Sequence, residues 1–267
     1  MTLVHTLSSG SSGNALLLSC GESHLLLDAG ISCRRITAAL GELGLTPGDL
    51  TAILITHTHA DHIAGLQTLL KRCGAPVFAT GTAARDLAWR LPAAEDRLQT
   101  LDTVNGAQTV GDFAVTAFPT SHDAPGACGF RLDTEDGAVG VLTDTGCVTD
   151  EAAELLPGVD LAVLEANHDV ETLCSGPYPY ALKQRILGCR GHLSNADAGE
   201  FAAVLAEGGA SEIVLAHLSC ENNTPAMALS AVETALAAAG ASPLLSVAPR
   251  DRLGPVHTVC RRRVCRR

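Results

Sequence analysis

Residues 57–62 read His57-Thr58-His59-Ala60-Asp61-His62, directly after the apolar run Ala52–Thr56 (AILIT). Four residues of metal-ligand type fall within these six positions. The composition of the preceding run predicts a buried strand, and Ile63, Leu66, Leu69 and Leu70 beyond the motif recur at helical spacing. His57 and His59 alternate in an extended segment, so both rings can point to one side. Asp61 and His62 come where the chain turns into the helix and face a second point nearby. Imidazoles with a carboxylate suit zinc, and also iron or manganese. Four ligands divided two and two do not complete two metal shells, so more must come from elsewhere in the chain.

The remaining candidates stand at the ends of other apolar runs. His122 follows Phe113–Pro119, Asp144 follows Val139–Thr143, and His217 follows Ile213–Leu215. The carboxyl ends of strands are where open sheets place their sites. Taken singly, a His or Asp in such a place is more often a loop or capping residue. Taken with residues 57–62, the three extend a metal-binding set.

Outward from these points the chain reads as short strands mixed with helices. Leu3–Leu7, Ala15–Ser19, Leu25–Asp28, Val77–Ala79, Gly129–Leu132 and Leu161–Glu165 have strand composition, and Glu135-Asp136-Gly137 is a hairpin signal. Helical spacing starts at Ser32 with Gly44 as its stop, and returns at Pro179–Leu187, Asn195–Glu207 and Pro225–Ala239. Strand meanders with strand–helix alternation predict a layered α/β (α+β) architecture in which helices cover sheets. With no linker-like stretch or repeat, residues 1–267 are expected to form a single domain with a short basic tail over 260–267.

Composition narrows the function classes. The 267 residues carry a formal net charge of −11, which excludes a general basic cloak for nucleic acid, and aromatics at 3% argue against a base-stacking platform. Basic patches remain at Arg34, Arg35, Lys71, Arg72 and the arginines of the tail. The ten cysteines form no C-x-x-C pair and several sit beside apolar runs, so they read as free thiols in a reducing compartment. The first residues lack the basic and apolar regions of a signal peptide, and no stretch of about twenty apolar residues is present to span a membrane. A soluble cytoplasmic protein is expected.

The ordered set of motifs resembles the metallo-β-lactamase superfamily, whose pattern is H-x-H-x-D-H, then a His, a bridging Asp and a final His. The resemblance covers nearly the whole chain. It implies a four-layer αββα sandwich with the site along one edge and a dinuclear centre: His57, His59 and His122 on one metal, Asp61, His62 and His217 on the other, Asp144 bridging. Two divalent ions, zinc first and manganese as an alternative, would share a hydroxide and clamp an oxyanion, which makes the chain a hydrolase.

Finer phrases narrow the activity. Gly191-His192-Leu193-Ser194-Asn195 is similar to a stretch in phosphodiesterase members of the superfamily, where a His protonates the leaving oxygen. The bland reading is a helix start capped by Ser194 or Asn195. His192 and Asp61 are therefore the expected catalytic residues. The loop Ser8–Asn14 (SSGSSGN) is either a plain hairpin connection or a turn whose N–H groups meet a phosphate; Ser12 and Asn14 are its substrate-binding candidates. His168, in Leu164-Glu165-Ala166-Asn167-His168-Asp169, is a third, although a lone His after a strand more often makes a local hydrogen bond. With Leu142–Gly146 and the stretch from His217 to Pro225, these phrases look like a bacterial group of the superfamily whose members are 5′-to-3′ double-stranded DNA exonucleases. The resemblance implies DNA as substrate, bound weakly and with strong salt sensitivity. The rivals are a small-molecule hydrolase of the same superfamily, acting on a cyclic phosphodiester, thioester or lactone, and a non-catalytic metal-binding regulatory protein.

Overall fold

The structure is a computed structural model that describes residues 1–103 and 106–260. The arginines of the expected basic tail, Arg261, Arg262, Arg263, Arg266 and Arg267, lie outside the described residues. In chain order the first half runs β1 (Thr2–Ser8), β2 (Ala15–Cys20), β3 (Ser23–Leu27), α1 (Cys33–Glu42), β4 (Ala52–Leu54), α2 (Ala60–Ile63), α3 (Leu66–Leu69), β5 (Val77–Thr80), α4 (Gly81–Arg90) and β6 (Leu98–Leu101). The second half runs β7 (Gln108–Val110), β8 (Phe113–Pro119), β9 (Cys128–Thr134), β10 (Gly137–Leu142), α5 (Asp150–Leu155), β11 (Leu161–Glu165), α6 (Val170–Ser175) and α7 (Tyr180–Leu187). It closes with α8 (Asn195–Glu207), β12 (Glu212–Ala216), α9 (Pro225–Ala238), β13 (Leu244–Val247) and β14 (Val256–Val259).

The strands form two seven-stranded sheets, ordered β14-β1-β2-β3-β4-β5-β6 and β13-β12-β11-β10-β9-β8-β7. Alternation along a strand sends successive side chains to opposite faces, and here both faces of the central strands are covered. Leu16, Leu18, Leu25 and Leu27 meet Phe113, Val115, Phe130 and Leu132 in a core between the sheets. Leu17, Leu26 and Ile53 point the other way, under Ile36, Leu40, Leu66 and Leu87 of α1, α3 and α4. On the far side Leu142, Ala162 and Leu164 pack beneath Phe201, Leu205, Val232 and Leu236 of α8 and α9. The result is the four-layer αββα sandwich. Each Leu or Phe buried this way stabilises by roughly 1.5–3 kcal/mol, which is why apolar runs without polar alternation mark these strands.

The segment after the motif departs from the sequence reading. The single helix expected after residue 62 is two four-residue helices, α2 and α3, separated at Gly65. The groups that would join them are engaged elsewhere. The Asp61 carbonyl accepts the Asn14 N–H, and the Gly65 N–H donates to the Ala29 carbonyl rather than to the turn before it. Residues 28–32 are thereby stitched to the segment that carries the histidines, at a separation only glycine permits: a Cβ on Gly30 would lie 1.6 Å from the Asp61 carbonyl oxygen.

Candidate metal centre

The strand ends converge at one edge of the sandwich. His57 follows β4, His122 follows β8, Asp144 follows β10, Glu165 ends β11, and His217 follows β12. At two of these ends, and at Asp28 after β3, the backbone is left-handed without being glycine: Asp28 at φ 60°, Asp144 at 56° and His217 at 55°. Such a conformation costs of order 1 kcal/mol or more per residue and collects at functional sites, where the surroundings hold it in place. It turns each side chain back across the strand ends toward the same point.

Six histidine rings meet there, with neighbouring centroids 4.1–5.9 Å apart. Within them, His57, His59 and His122 place their ligand atoms inside 4.8 Å of one another, as do Asp61, His62 and His217. Asp144 lies between the two groups: with His57 and His62 it makes a third set, and with Glu165, His192 and His217 a fourth. Its Oδ2 is 3.2 Å from His62 Nε2 and its Oδ1 3.8 Å from His122 Nε2. Each set thus joins residues that the sequence spacing alone keeps far apart.

Behind the histidines stands a second ring of acceptors that fixes which nitrogen faces inward. Asp28, buried, accepts from the Thr56 N–H at 2.9 Å and the Thr56 hydroxyl at 2.8 Å, and its Oδ2 lies 2.7 Å from His62 Nδ1. The Gly191 carbonyl takes His122 Nδ1 at 3.0 Å. Glu165 is fully buried and serves four donors: Thr145 N–H and Leu193 N–H on Oε2, His192 Nδ1 and His217 Nδ1 on Oε1. A carboxylate on the outer nitrogen sets the tautomer and makes the inner nitrogen more basic. Asp28 and Glu165 are not legible as site residues in the sequence. Their only signal was an acid at a strand end, the same one that marked Asp144.

Burial and charge sort the protonation states. Burial, reinforced by the charge of His62, holds His57 well below the ordinary imidazole value, and burial next to His122 lowers His59. Burial also opposes charge on His62, but Asp144 and Asp28 outweigh it and hold that imidazole well above its usual range. For His217 burial is outweighed by Asp144, Asp61 and Glu165, which raise it to about 10. The carboxylates answer in kind. Against burial, the charge of His217 and His62 keeps Asp144 well below the carboxylate range, and the charge and hydrogen bond of His192, with a hydrogen bond from His217, bring Glu165 to about 2.

A metal fits this donor set on a direct observation. His57 Nε2, His217 Nε2 and Asp144 Oδ2 are buried with no hydrogen-bond partner among the described residues. Buried polar atoms in native proteins are nearly always satisfied, and divalent cations held in the sets that contain these atoms would satisfy them. The fold class and the donors agree on divalent metal binding.

The other candidates divide. His192 lines a cleft of about 210 Å³ beside His122, with its Nδ1 held 2.9 Å from Glu165 Oε1. Burial opposes its charge, but Glu165 raises its pKa above the ordinary value. Asn14 touches the donor set rather than the cleft: its Nδ2 is 3.0 Å from His62 Nε2 and 3.4 Å from Asp61 Oδ2, while its Oδ1 accepts the Gly10 N–H. Ser12 is exposed, and the loop contributes Ser11 to the cleft wall instead. His168 is buried, outside the residues lining the cleft, with a bridge to Ser194. Asp123, also not legible as a site residue in the sequence, has Oδ1 3.6 Å from both His59 Nε2 and His122 Nε2.

Residues 23–218 match the family model described as β-lactamase superfamily domain. The chain is 39% identical over 229 residues to exodeoxyribonuclease WalJ of Streptococcus pneumoniae serotype 2, covering 83% of each protein. It is 36% identical over 233 residues to exodeoxyribonuclease YycJ of Bacillus anthracis, covering 86% of this chain and 87% of that one. Among solved structures, the metallo-β-lactamase fold protein YhfI of Bacillus subtilis superposes with a TM-score of 0.71 at 18% identity, over 97% of this chain and 100% of the other. That likeness speaks for the fold alone.

Proposed function

This chain belongs to the β-lactamase superfamily and within it to the WalJ/YycJ group, and from that premise we propose that it is an exodeoxyribonuclease that digests duplex DNA from the 5′ end. It is a metal-dependent hydrolase of the metallo-β-lactamase fold. His57, His59 and His122 would hold one divalent ion and Asp61, His62 and His217 a second, with Asp144 between them. Ions bound there would supply positive charge and an activated water to a phosphodiester. A histidine-rich set suits zinc, and the carboxylates admit manganese.

The observation that carries the phosphodiester reading is the Glu165–His192 pair. His192 Nδ1 is fixed by a buried carboxylate, and the side chain forms part of the cleft wall next to the donor set. With its pKa raised chiefly by Glu165 against the effect of burial, it holds a proton near neutrality and delivers it to the departing sugar oxygen. An alkoxide leaving group needs that proton, whereas a thiolate does not. Asp61, held in the carboxylate form by His217 and His62 against burial, keeps its charge on the ion-binding side.

Among the described residues no helix is long and apolar enough to cross a membrane. The buried thiols Cys20, Cys33, Cys73 and Cys128 suit a reducing, cytoplasmic setting.

The test is degradation of a 5′-phosphorylated linear DNA duplex with manganese or zinc, beside Asp61→Ala protein, a small phosphodiester and a thioester. The expected result is loss of DNA that the substitution abolishes. Intact DNA with turnover of a small ester would move the function to a small-molecule hydrolase of the same fold.

A further inference from the structure

Three of the ligand histidines are aimed by an acceptor on the nitrogen that faces away from the centre: His62 by Asp28, His122 by the Gly191 carbonyl and His217 by Glu165. His59 has no such partner among the described residues. Its Nδ1 faces His122 Nε2 at 3.2 Å, and its Nε2 comes no nearer to a carboxylate than 3.6 Å, from Asp123 Oδ1, which is outside hydrogen-bond range. The ring is therefore placed by the backbone that carries it.

That backbone is held from α4. Thr58, between His57 and His59, is buried, and its hydroxyl donates to Asp86 Oδ2. The same oxygen takes Arg90 Nε at 2.7 Å, one turn along the helix. Asp86 is the one carboxylate of α4 (GTAARDLAWR), whose core contacts are made by Ala83, Ala84 and Leu87. The other end of the helix reaches the third donor. Thr80, its N-cap, donates to the Gly126 carbonyl at 2.7 Å, and Gly126 belongs to the loop after β8 that carries His122. A Cβ on Gly126 would lie 2.8 Å from the Ala83 nitrogen, and its φ is +65°, so loop and helix meet at a distance and in a conformation that suit glycine. Both segments that supply His57, His59 and His122 are thus bonded to α4 or its cap. Asp61, His62 and His217 are held elsewhere, by Asn14, Asp28, Glu165 and the Ser9 hydroxyl.

We propose that Thr58 and Asp86 are positioning residues for the ion of the His57, His59 and His122 set, with α4 as the platform that sets these three donors at one spacing. A hydroxyl on a carboxylate makes a charge-assisted hydrogen bond, and Arg90 fixes the carboxylate from the other side. The bond pins the peptide on either side of Thr58, which fixes where both rings start. This rests on the assignment of two ions to the two donor sets, and adds that the sets are supported separately.

The experiment titrates zinc into the metal-free full chain against a chromophoric chelator of known affinity, which resolves the two ions. His122→Ala marks the ion in question, because His122 belongs to that donor set alone. Thr58→Val keeps the shape and loses the hydroxyl. It should weaken that ion by roughly 10–100-fold and leave the other within about twofold. Thr58→Ser should recover most of the loss. Asp86→Leu tests the bond from its other end and should match Thr58→Val, and the double variant should lose no more than either alone. Urea unfolding of the metal-free variants reads general damage, which would weaken both ions together. Equal weakening of both ions, unchanged affinity for both, or additive losses in the double variant overturns the positioning role and leaves the donor sets in place. Wild-type protein that takes up fewer than two ions overturns the donor sets with it.

Discussion

Glu165 binds two histidines and two backbone N–H groups from a position with no solvent exposure. Its charge is what keeps His192 and His217 aimed, so Glu165→Gln, which retains the volume and loses the charge, is expected to weaken metal binding by roughly 10–100-fold. Competition with a chelator of known affinity measures this, and unchanged affinity would remove Glu165 from the orienting role. The same substitution changes the pH dependence. Against burial, Asp144, Asp61 and Glu165 raise His217 to about 10, above the unfolded value near 6.5. In the metal-free protein that contribution to stability is complete below the unfolded value and is lost as pH rises through the folded one. Metal binding requires the neutral imidazole, so wild-type affinity climbs with pH up to about 10, and in Glu165→Gln the climb ends at lower pH. The candidates at 57–62 were legible because four of them crowd into one motif. Asp28 and Glu165 were not, because each meets its histidine across 34 and 52 residues of chain, and neither carries a local signal beyond being an acid at a strand end.

At the scale of elements, the loop of residues 28–32 is what the histidine segment rests on. The Ala29 N–H donates to the His62 carbonyl, the Gly30 N–H to Asn14, and Asn14 to Asp61. Gly30→Ala would drive a Cβ to 1.6 Å from a backbone oxygen, and the loop must move to admit it. A loss of roughly 1–3 kcal/mol or more is expected in urea unfolding, with weaker metal binding because Asp61 and His62 move with the loop. Gly41 is the contrast: it sits in α1 with nothing within 4 Å of a Cβ, and Gly41→Ala should stabilise by roughly 0.5–1 kcal/mol. If the two substitutions behaved alike, the packing of the loop against the motif would be wrong. The same elements show what sequence can and cannot tell. β11, buried on both faces, was read at its observed bounds because a short apolar run has few other uses, and β8 was read at its bounds from a run that is apolar but for Thr116. Edge strands were missed: β6 (LQTL) is half exposed and β13 borders solvent, so their patterns match those of loops. The helix α4 was missed because its buried positions are Ala83, Ala84 and Leu87, too little apolar surface to mark a face.

For the whole molecule, the donor set is a seam. The first sheet and its loops supply Asp28, His57, His59, Asp61 and His62, and the second supplies His122, Asp144, Glu165, His192 and His217. Without a cation the seam holds buried atoms that have no partner among the described residues, His57 Nε2 on one side and Asp144 Oδ2 and His217 Nε2 on the other. A ligand that binds only the folded protein stabilises it by RT ln(1 + [L]/Kd), about 4 kcal/mol at a thousandfold excess over Kd. For a chain of this size each kcal/mol moves the midpoint by roughly 2–4 °C. Chelation should therefore lower Tm by roughly 8–16 °C, and restoring zinc or manganese should recover it. Calorimetry on metal-loaded and chelated protein reads this directly. The transition should stay single as it shifts, since the core between the sheets, from Leu18 and Leu27 to Phe113 and Phe130, is common to both halves. A Tm indifferent to chelation would mean that the two sheets need no ion to meet, and the orphaned atoms at the seam would require another explanation.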